Sequence, residues 1–385
     1  MMFKIATLVL TLLFLQTTSL TAQPAEGLSG TIKAIHKDIE GIRGIEFKHP
    51  VKVKNQSIDN FGRYLDKMLQ KEIPERLAKN YDKVVRKLGL YRGPEIADFR
   101  TIAKQVMQSQ AAAYYDPETE SFYVVMQSLP QQMLKPLYVH ELYHGLQDQY
   151  YDLENYVQSE SALELTDDEL LARQAVVEGE ATYIMTLWTY KSLLGALPDP
   201  FMLGVAINTQ AELDVEQMIQ LFKGQAGSAD TTHGDVQKAI AAMDSIPAFL
   251  METLVGAYLK GMRFVFEIQK KGWEEVGRLY RQPPVSSEQI LHPEKWFQNE
   301  KPVKLNWPEF ERDNLFSDWI LLEKNAIGEI QWRIIFSEHN MRDAGKAVAA
   351  GWNGDRFAVL EHKKSEMTCS PASAVNTGVC GSPPT

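Results

Sequence analysis

Apolar residues recur every three or four positions through much of this chain, and that spacing predicts a mainly helical fold. Phe61, Leu65, Leu69, Ile73 and Leu77 put residues 58–88 in one or two helices, with Pro74 expected to start the second or kink the first. Further helices are expected over 131–150, 167–194, 215–222, 249–271 and 273–280. Thr166-Asp167-Asp168-Glu169 opens the second of these with a good N-cap sequence. Residues 112–125 predict a hairpin. Tyr114-Tyr115 and Phe122-Tyr123-Val124-Val125 are strand formers, and Asp116-Pro117-Glu118-Thr119 supplies the turn. Residues 30–53 read as loops with one or two short strands, and 327–336 and 357–360 as short strands. Residues 224–234, rich in Gly, Ala, Ser and Thr, read as a mobile surface loop, and Pro283-Pro284 ends the helical run. The pattern is therefore α+β and mainly helical, with a small sheet whose edge hairpin precedes the helix at 131–150.

The first residues follow a different logic. Lys4 gives a positive start, residues 5–15 are apolar apart from Thr7 and Thr11, and Ala22 or Ala25 ends a stretch of small polar residues. The apolar run is shorter than the roughly 20 residues that span a bilayer, so residues 1–22 are expected to be a cleaved export signal rather than an anchor. The exported protein would be periplasmic or secreted, with no stable membrane insertion. Formal net charge is -10, and it becomes -11 once Lys4 is lost. That balance argues against a nucleic-acid surface and against docking on anionic lipid. Cys369 and Cys380 lie in the last seventeen residues, where they could close a small loop but could not staple the main core.

The chemistry concentrates in His140-Glu141-Leu142-Tyr143-His144. Histidines four apart on a helix project from one face, one turn from each other, the spacing at which two imidazoles reach one zinc ion. Glu141 lies about 100° round from His140, beside the metal, where it can accept a proton from water. Leu142, Leu146, Val139 and Tyr150 form the expected buried back of this helix, and Gln147 and Asp148 extend its polar stripe.

A catalytic zinc takes three protein ligands and keeps one position open. The candidates for the third are Glu178 and Glu180 in Val176-Val177-Glu178-Gly179-Glu180-Ala181-Thr182. Two residues apart is about 200° on a helix, so both cannot face one ion. Glu178 shares its face with Ala175 and Thr182, which leaves room for a neighbouring helix, and is favoured as the ligand. Glu180 is expected to be a supporting or ion-pair residue, with Arg173 as its partner.

His-Glu-x-x-His on one helix and Glu-Gly-x-Ala on a later one resemble the gluzincin class of zinc metallopeptidases. In that class the third ligand is a glutamate on a following helix. More closely, the chain resembles an uncharacterised group of bacterial and archaeal exported metallopeptidases. The similarity runs through Tyr115-Asp116-Pro117, Val139-His140-Glu141-Leu142, Leu146-Gln147-Asp148-Gln149, Val177-Glu178-Gly179-Glu180-Ala181, Ser287-Glu288-Gln289-Ile290-Leu291-His292-Pro293-Glu294-Lys295 and Gly351-Trp352-Asn353-Gly354-Asp355-Arg356. It implies a zincin-like metallopeptidase domain over 96–360, preceded by a helical and extended region at 23–95 and followed by a tail at 361–385. The resemblance implies fold and metal, not substrate.

The expected activity is therefore zinc-dependent hydrolysis of peptide bonds, with His140, His144 and Glu178 on the metal and Glu141 as general base. His292, in a loop or short turn outside the metal helices, is a candidate oxyanion donor, with Tyr143 and Tyr183 as rivals. His36, His49, His233, His339 and His362 have no ligand-like spacing and read as surface or loop residues. Trp352, Asp355 and Arg356 read as a buried anchor in preference to a subsite. The rival class is a non-catalytic exported zinc-binding or adhesion protein on the same fold, against which the intact Glu141 counts.

Overall fold

The computed structural model describes residues 28–110, 113–125, 131–158, 165–214, 217, 220, 246–306 and 316–363. The expected export signal, the loop at 224–234, most of the helix at 215–222 and both cysteines lie outside the described residues. The chain is mainly helical with a small sheet, as the apolar spacing predicts.

In order, the elements begin with α1 (Leu28–Arg43), β1 (Lys52–Asn55), α2 (Ile58–Glu72), α3 (Glu75–Lys87) and α4 (Phe99–Gln110). The hairpin β2 (Ala113–Asp116) and β3 (Ser121–Val124) follows, then α5 (Gln131–Tyr151) and, after a five-residue π turn, α6 (Asp167–Leu194). After α7 (Pro200–Glu212) come α8 (Ala248–Gln269), α9 (Trp273–Arg281) and the short α10 (Ser287–Leu291) and α11 (Pro293–Phe297). The last elements are β4 (Trp319–Asn325), α12 (Gly328–Glu338), α13 (Arg342–Ala349) and β5 (Phe357–His362).

The first sheet has the order β1-β3-β2, with β1 parallel and β2 antiparallel to β3, so β2 is an edge strand as expected of the hairpin. β4 and β5 form a separate antiparallel pair. The central element is α6. Its first turn is fixed by a capping box, in which Thr166 Oγ1 accepts from the Glu169 amide and Glu169 returns a carboxylate oxygen to the Thr166 amide. Residues 174–188 of this helix are all buried, which explains why its sequence is apolar on nearly every side. α5, α8 and α1 pack around it.

Two segments differ from the expectation. Residues 28–43, read as loop and strand, form α1. Ile32, Ile35, Ile39 and Ile42 line its buried face at helical spacing; β-branched residues and glycines weaken the local preference, and packing against α5 and α6 overrides it. Residues 328–338, read as a strand, form α12, which buries Ile330, Ile334 and Ile335. Its N-terminus is held by Asp355, which accepts from the Ile327 amide at 2.7 Å and from the indoles of Trp332 and Trp352. Trp352 and Asp355 are thus the anchor the sequence favoured.

α6 and α8 touch backbone to backbone where Gly179 meets Gly261. A Cβ built on Gly261 would lie 2.1 Å from the Ala175 carbonyl oxygen, and one on Gly179 2.2 Å from the Gly261 carbonyl carbon. Neither neighbour is a flexible side chain, so a methyl group can be accommodated only by separating the helices. Gly261→Ala should therefore cost about 2–3 kcal/mol or more. Gly41→Ala, in α1 with nothing within 4 Å of the added carbon, should stabilise by about 0.5–1 kcal/mol. Urea unfolding midpoints of the two variants check this, and equal midpoints would contradict the close-contact reading.

Candidate metal centre

His140, Glu141 and His144 sit on the middle of α5, and Glu178 on the facing turn of α6. The hairpin packs against α5 where Gly145 leaves room. A Cβ there would lie 2.6 Å from Val51 and 3.3 Å from the Tyr115 ring. α5 has no solvated polar face in this region. Residues 137–147 are all buried, and Tyr150, expected on the buried back, is exposed. The polar stripe faces α6 and β2 instead of water, and that puts four ionisable side chains into a dry site.

Three donor atoms converge. His140 Nε2 lies 3.1 Å from His144 Nε2 and 3.2 Å from Glu178 Oε2, and His144 Nε2 lies 3.5 Å from the same oxygen. The two imidazoles are nearly perpendicular, at 88°. The other Glu178 oxygen and His140 Nδ1 have no hydrogen-bond partner among the described residues. His140, Glu141 and His144 together could hold a metal ion. Glu141 stands apart in one respect: its Oε2 accepts the Tyr115 backbone N–H of edge strand β2 at 3.0 Å.

The electrostatics follow from burial. Glu141 is pushed up to about 8, first by loss of water and then by the charge of Glu178, against the pull of His144 and the Tyr115 amide. Burial alone would also raise Glu178, but the charge of His144 and hydrogen bonds from both imidazoles bring it down to about 2. Burial alone would lower His144, and Glu178 more than offsets it, giving about 9. His140 is lowered, chiefly by burial.

Glu180 points the other way, as the 200° separation requires, but its partner is not Arg173. Arg173 donates to the Tyr156 carbonyl. Glu180 pairs with Arg43 at the end of α1, Nε to Oε1 2.9 Å, both buried. Tyr143 and Tyr280 each donate to Glu180 at 2.6 Å, and the guanidinium of Arg43 lies over the Trp273 ring. Gln147 joins this group to the histidines, with Oε1 2.7 Å from His144 Nδ1 and Nε2 3.2 Å from Glu180 Oε2.

The sequence's oxyanion candidates have other attachments. His292, at the junction of α10 and α11, has Nε2 3.0 Å from buried Glu329 and Nδ1 3.8 Å from Glu294, so its ring is engaged away from the four site residues. Tyr143 is tied to Glu180, and Tyr183 donates to Gln269. The aromatic residue lying along the site is Tyr258 of α8, stacked on His140 with ring centroids 5.7 Å apart. Sequence reasoning missed Tyr258 and Arg43. Neither carries a local signal, although two buried glutamates on one helix imply a second cation.

No family model, curated protein or solved structure matches this chain. No helix among the described residues is long and apolar enough to cross a membrane.

The buried groups set a pH dependence. In the metal-free protein Glu141 and Asp168 are each pushed up to about 8, mainly by burial, and His144 to about 9. From about pH 4 to 9 the folded state therefore holds protons that the unfolded chain has released, and stability falls as pH rises. His140, lowered chiefly by burial, acts with the opposite sign up to about pH 6.5, and Glu178 does so only below about pH 4.5. With chelator present, the melting temperature should drop by about 5–10 °C between pH 5 and pH 9. A divalent ion added at pH 8 should raise it. A midpoint that climbs across this window in chelator would overturn the assignment.

Proposed function

We propose that this chain is an exported zinc-dependent hydrolase, and that its substrate is a peptide bond. The observation that carries the reading is a trio of donor atoms with a second carboxylate, Glu141, close beside it. Tetrahedral zinc with bonds of 2.0–2.1 Å separates its ligand atoms by about 3.3 Å. His140 Nε2, His144 Nε2 and Glu178 Oε2 are 3.1, 3.2 and 3.5 Å apart. Two nitrogens and one oxygen are also the donor set zinc accepts in hydrolytic sites. The residues present fit the metal.

When bound, zinc would polarise the substrate carbonyl and lower the pKa of water. Glu141 is the group that takes the water proton and hands it to the leaving amine. The Tyr115 amide holds its Oε2 and fixes the carboxylate's orientation. β2 is the edge of its sheet, but its four residues are buried and its Tyr115 amide is spent on Glu141, so the peptide reading rests on the donor set and the carboxylate rather than on a free strand edge. Of the described aromatic side chains, Tyr258 is the one whose ring stacks on His140. His292 Nε2 is already engaged by Glu329.

The second reading, a zinc-holding or adhesion protein without turnover, leaves Glu141 unexplained. A purely structural site gains nothing from a second buried carboxylate beside its ligands.

The mature protein should hold about one zinc per chain, and His140→Ala or His144→Ala should release it. Glu178→Gln should weaken zinc binding by at least about 10²-fold. Glu141→Gln should keep the metal while cleavage of a peptide library falls by at least about 10²-fold. Metal analysis and chelator-reversible cleavage measure these. A zinc-loaded parent that cleaves nothing in a broad library would favour the non-catalytic reading.

A further inference from the structure

A hydrogen-bonded chain connects the Arg43–Glu180 ion pair to the metal-facing histidine, and its proton directions can be read group by group. Arg43 has only donors to give. Glu180 receives Arg43 on Oε1 at 2.9 Å, Tyr143 on Oε1 at 2.6 Å and Tyr280 on Oε2 at 2.6 Å, so it is a carboxylate that only accepts. The next group is the Gln147 side-chain amide. One end of it faces the Val177 carbonyl oxygen at 3.0 Å and Glu180 Oε2 at 3.2 Å. Both are acceptors and nothing else, so that end must be the NH2. The Tyr280 hydroxyl, 2.7 Å away, has already given its proton to Glu180 and accepts there too.

The amide oxygen is thereby turned to His144 Nδ1 at 2.7 Å. An amide oxygen only accepts, so Nδ1 must carry the hydrogen. In the neutral ring Nε2 is then the lone-pair nitrogen, and it is the atom 3.5 Å from Glu178 and 3.1 Å from His140 Nε2. We propose that Gln147 is a positioning residue that fixes the tautomer of His144 with Nε2 free to bind metal, its amide being turned by two acceptors on α6, the Val177 carbonyl and Glu180.

The inference rests on the metal-centre reading and adds to it that α6, through the Val177 carbonyl and Glu180, prepares a ligand on α5. An amide does this with a specificity a carboxylate lacks. A carboxylate accepts on both oxygens and could not pass direction from Glu180, whereas the two ends of an amide differ.

The test uses full-length protein with 15N-labelled histidine, and long-range proton–nitrogen spectra report which ring nitrogen carries hydrogen. His144→Gln supplies the assignment. In metal-free parent, at a pH where the ring is neutral, His144 should carry its proton on Nδ1, and zinc should then appear on Nε2. Gln147→Leu removes the acceptor and should mix the tautomers and raise the zinc Kd by about 10–100-fold. A neutral His144 protonated on Nε2 in the parent overturns the proposal, as does a folded Gln147→Leu variant with parental tautomer and Kd. Should Gln147→Leu fail to fold, the parent spectrum still decides. A parent that binds no zinc but keeps the proton on Nδ1 would refute the metal centre and leave the relay standing.

Discussion

A carboxylate taken out of water must meet a cation or surrender its charge, and α6 buries two of them, Glu178 and Glu180, completely. Two residues apart on a helix, they leave on nearly opposite sides, so no single partner can serve both. One side is met by the imidazoles of α5, with room for a metal, and the other by Arg43 and two tyrosine hydroxyls. The arrangement of helices around α6 follows from that division. α5 must cross where His140 and His144 reach Glu178, and α1 must end where Arg43 reaches Glu180. Removing one partner of a buried pair usually costs about 3–5 kcal/mol, because the other is left charged and dry.

Close helix contact supplies the second constraint. Gly179 separates the two glutamates in sequence, and the absence of its side chain lets α8 approach the backbone of α6 at Gly261. This approach excludes water from the turn carrying Glu178. It also brings Tyr258, three residues before Gly261, against the ring of His140. The glycines therefore act on the site through distance rather than through any group of their own. A wider separation of α6 and α8 would admit water and weaken every interaction in the site.

How much of this was legible in the sequence depends on how local the cause is. The capped start of α6, the hairpin and the four-residue histidine spacing are set by neighbours in the chain and read directly. The 200° argument correctly sent Glu178 and Glu180 to different partners. The identity of Glu180's partner was not legible, because Arg43 lies 137 residues away and belongs to a helix whose isoleucines and glycines weaken its own local signal. α12 was misread for a related reason: a run rich in Ile fits a strand by preference, and the start of its helix is held by Asp355, 28 residues further along the chain. What the polar stripe of α5 faces was not legible, because sequence pattern cannot distinguish water from a second polar stripe facing it.

α5 resolves the resulting problem of two charged centres on one buried helix by placing a polar residue between them. Gln147 follows His144 by three positions, so it lies on the same side of α5 one turn on, where it spans from the imidazole to Glu180. Its oxygen and nitrogen are both satisfied by charged or polar groups, so the dry interface contains no half-paired amide there. Glu180 is one of two acceptors on α6 that turn this amide, the other being the Val177 carbonyl, so Arg43 reaches His144 only through a contact that the backbone duplicates. Glu141 stands outside this network. It takes its orientation from β2, through the Tyr115 amide. His144 and Glu141 are thus oriented by separate parts of the chain, α6 through Gln147 for one and the hairpin for the other, although they lie within five consecutive residues.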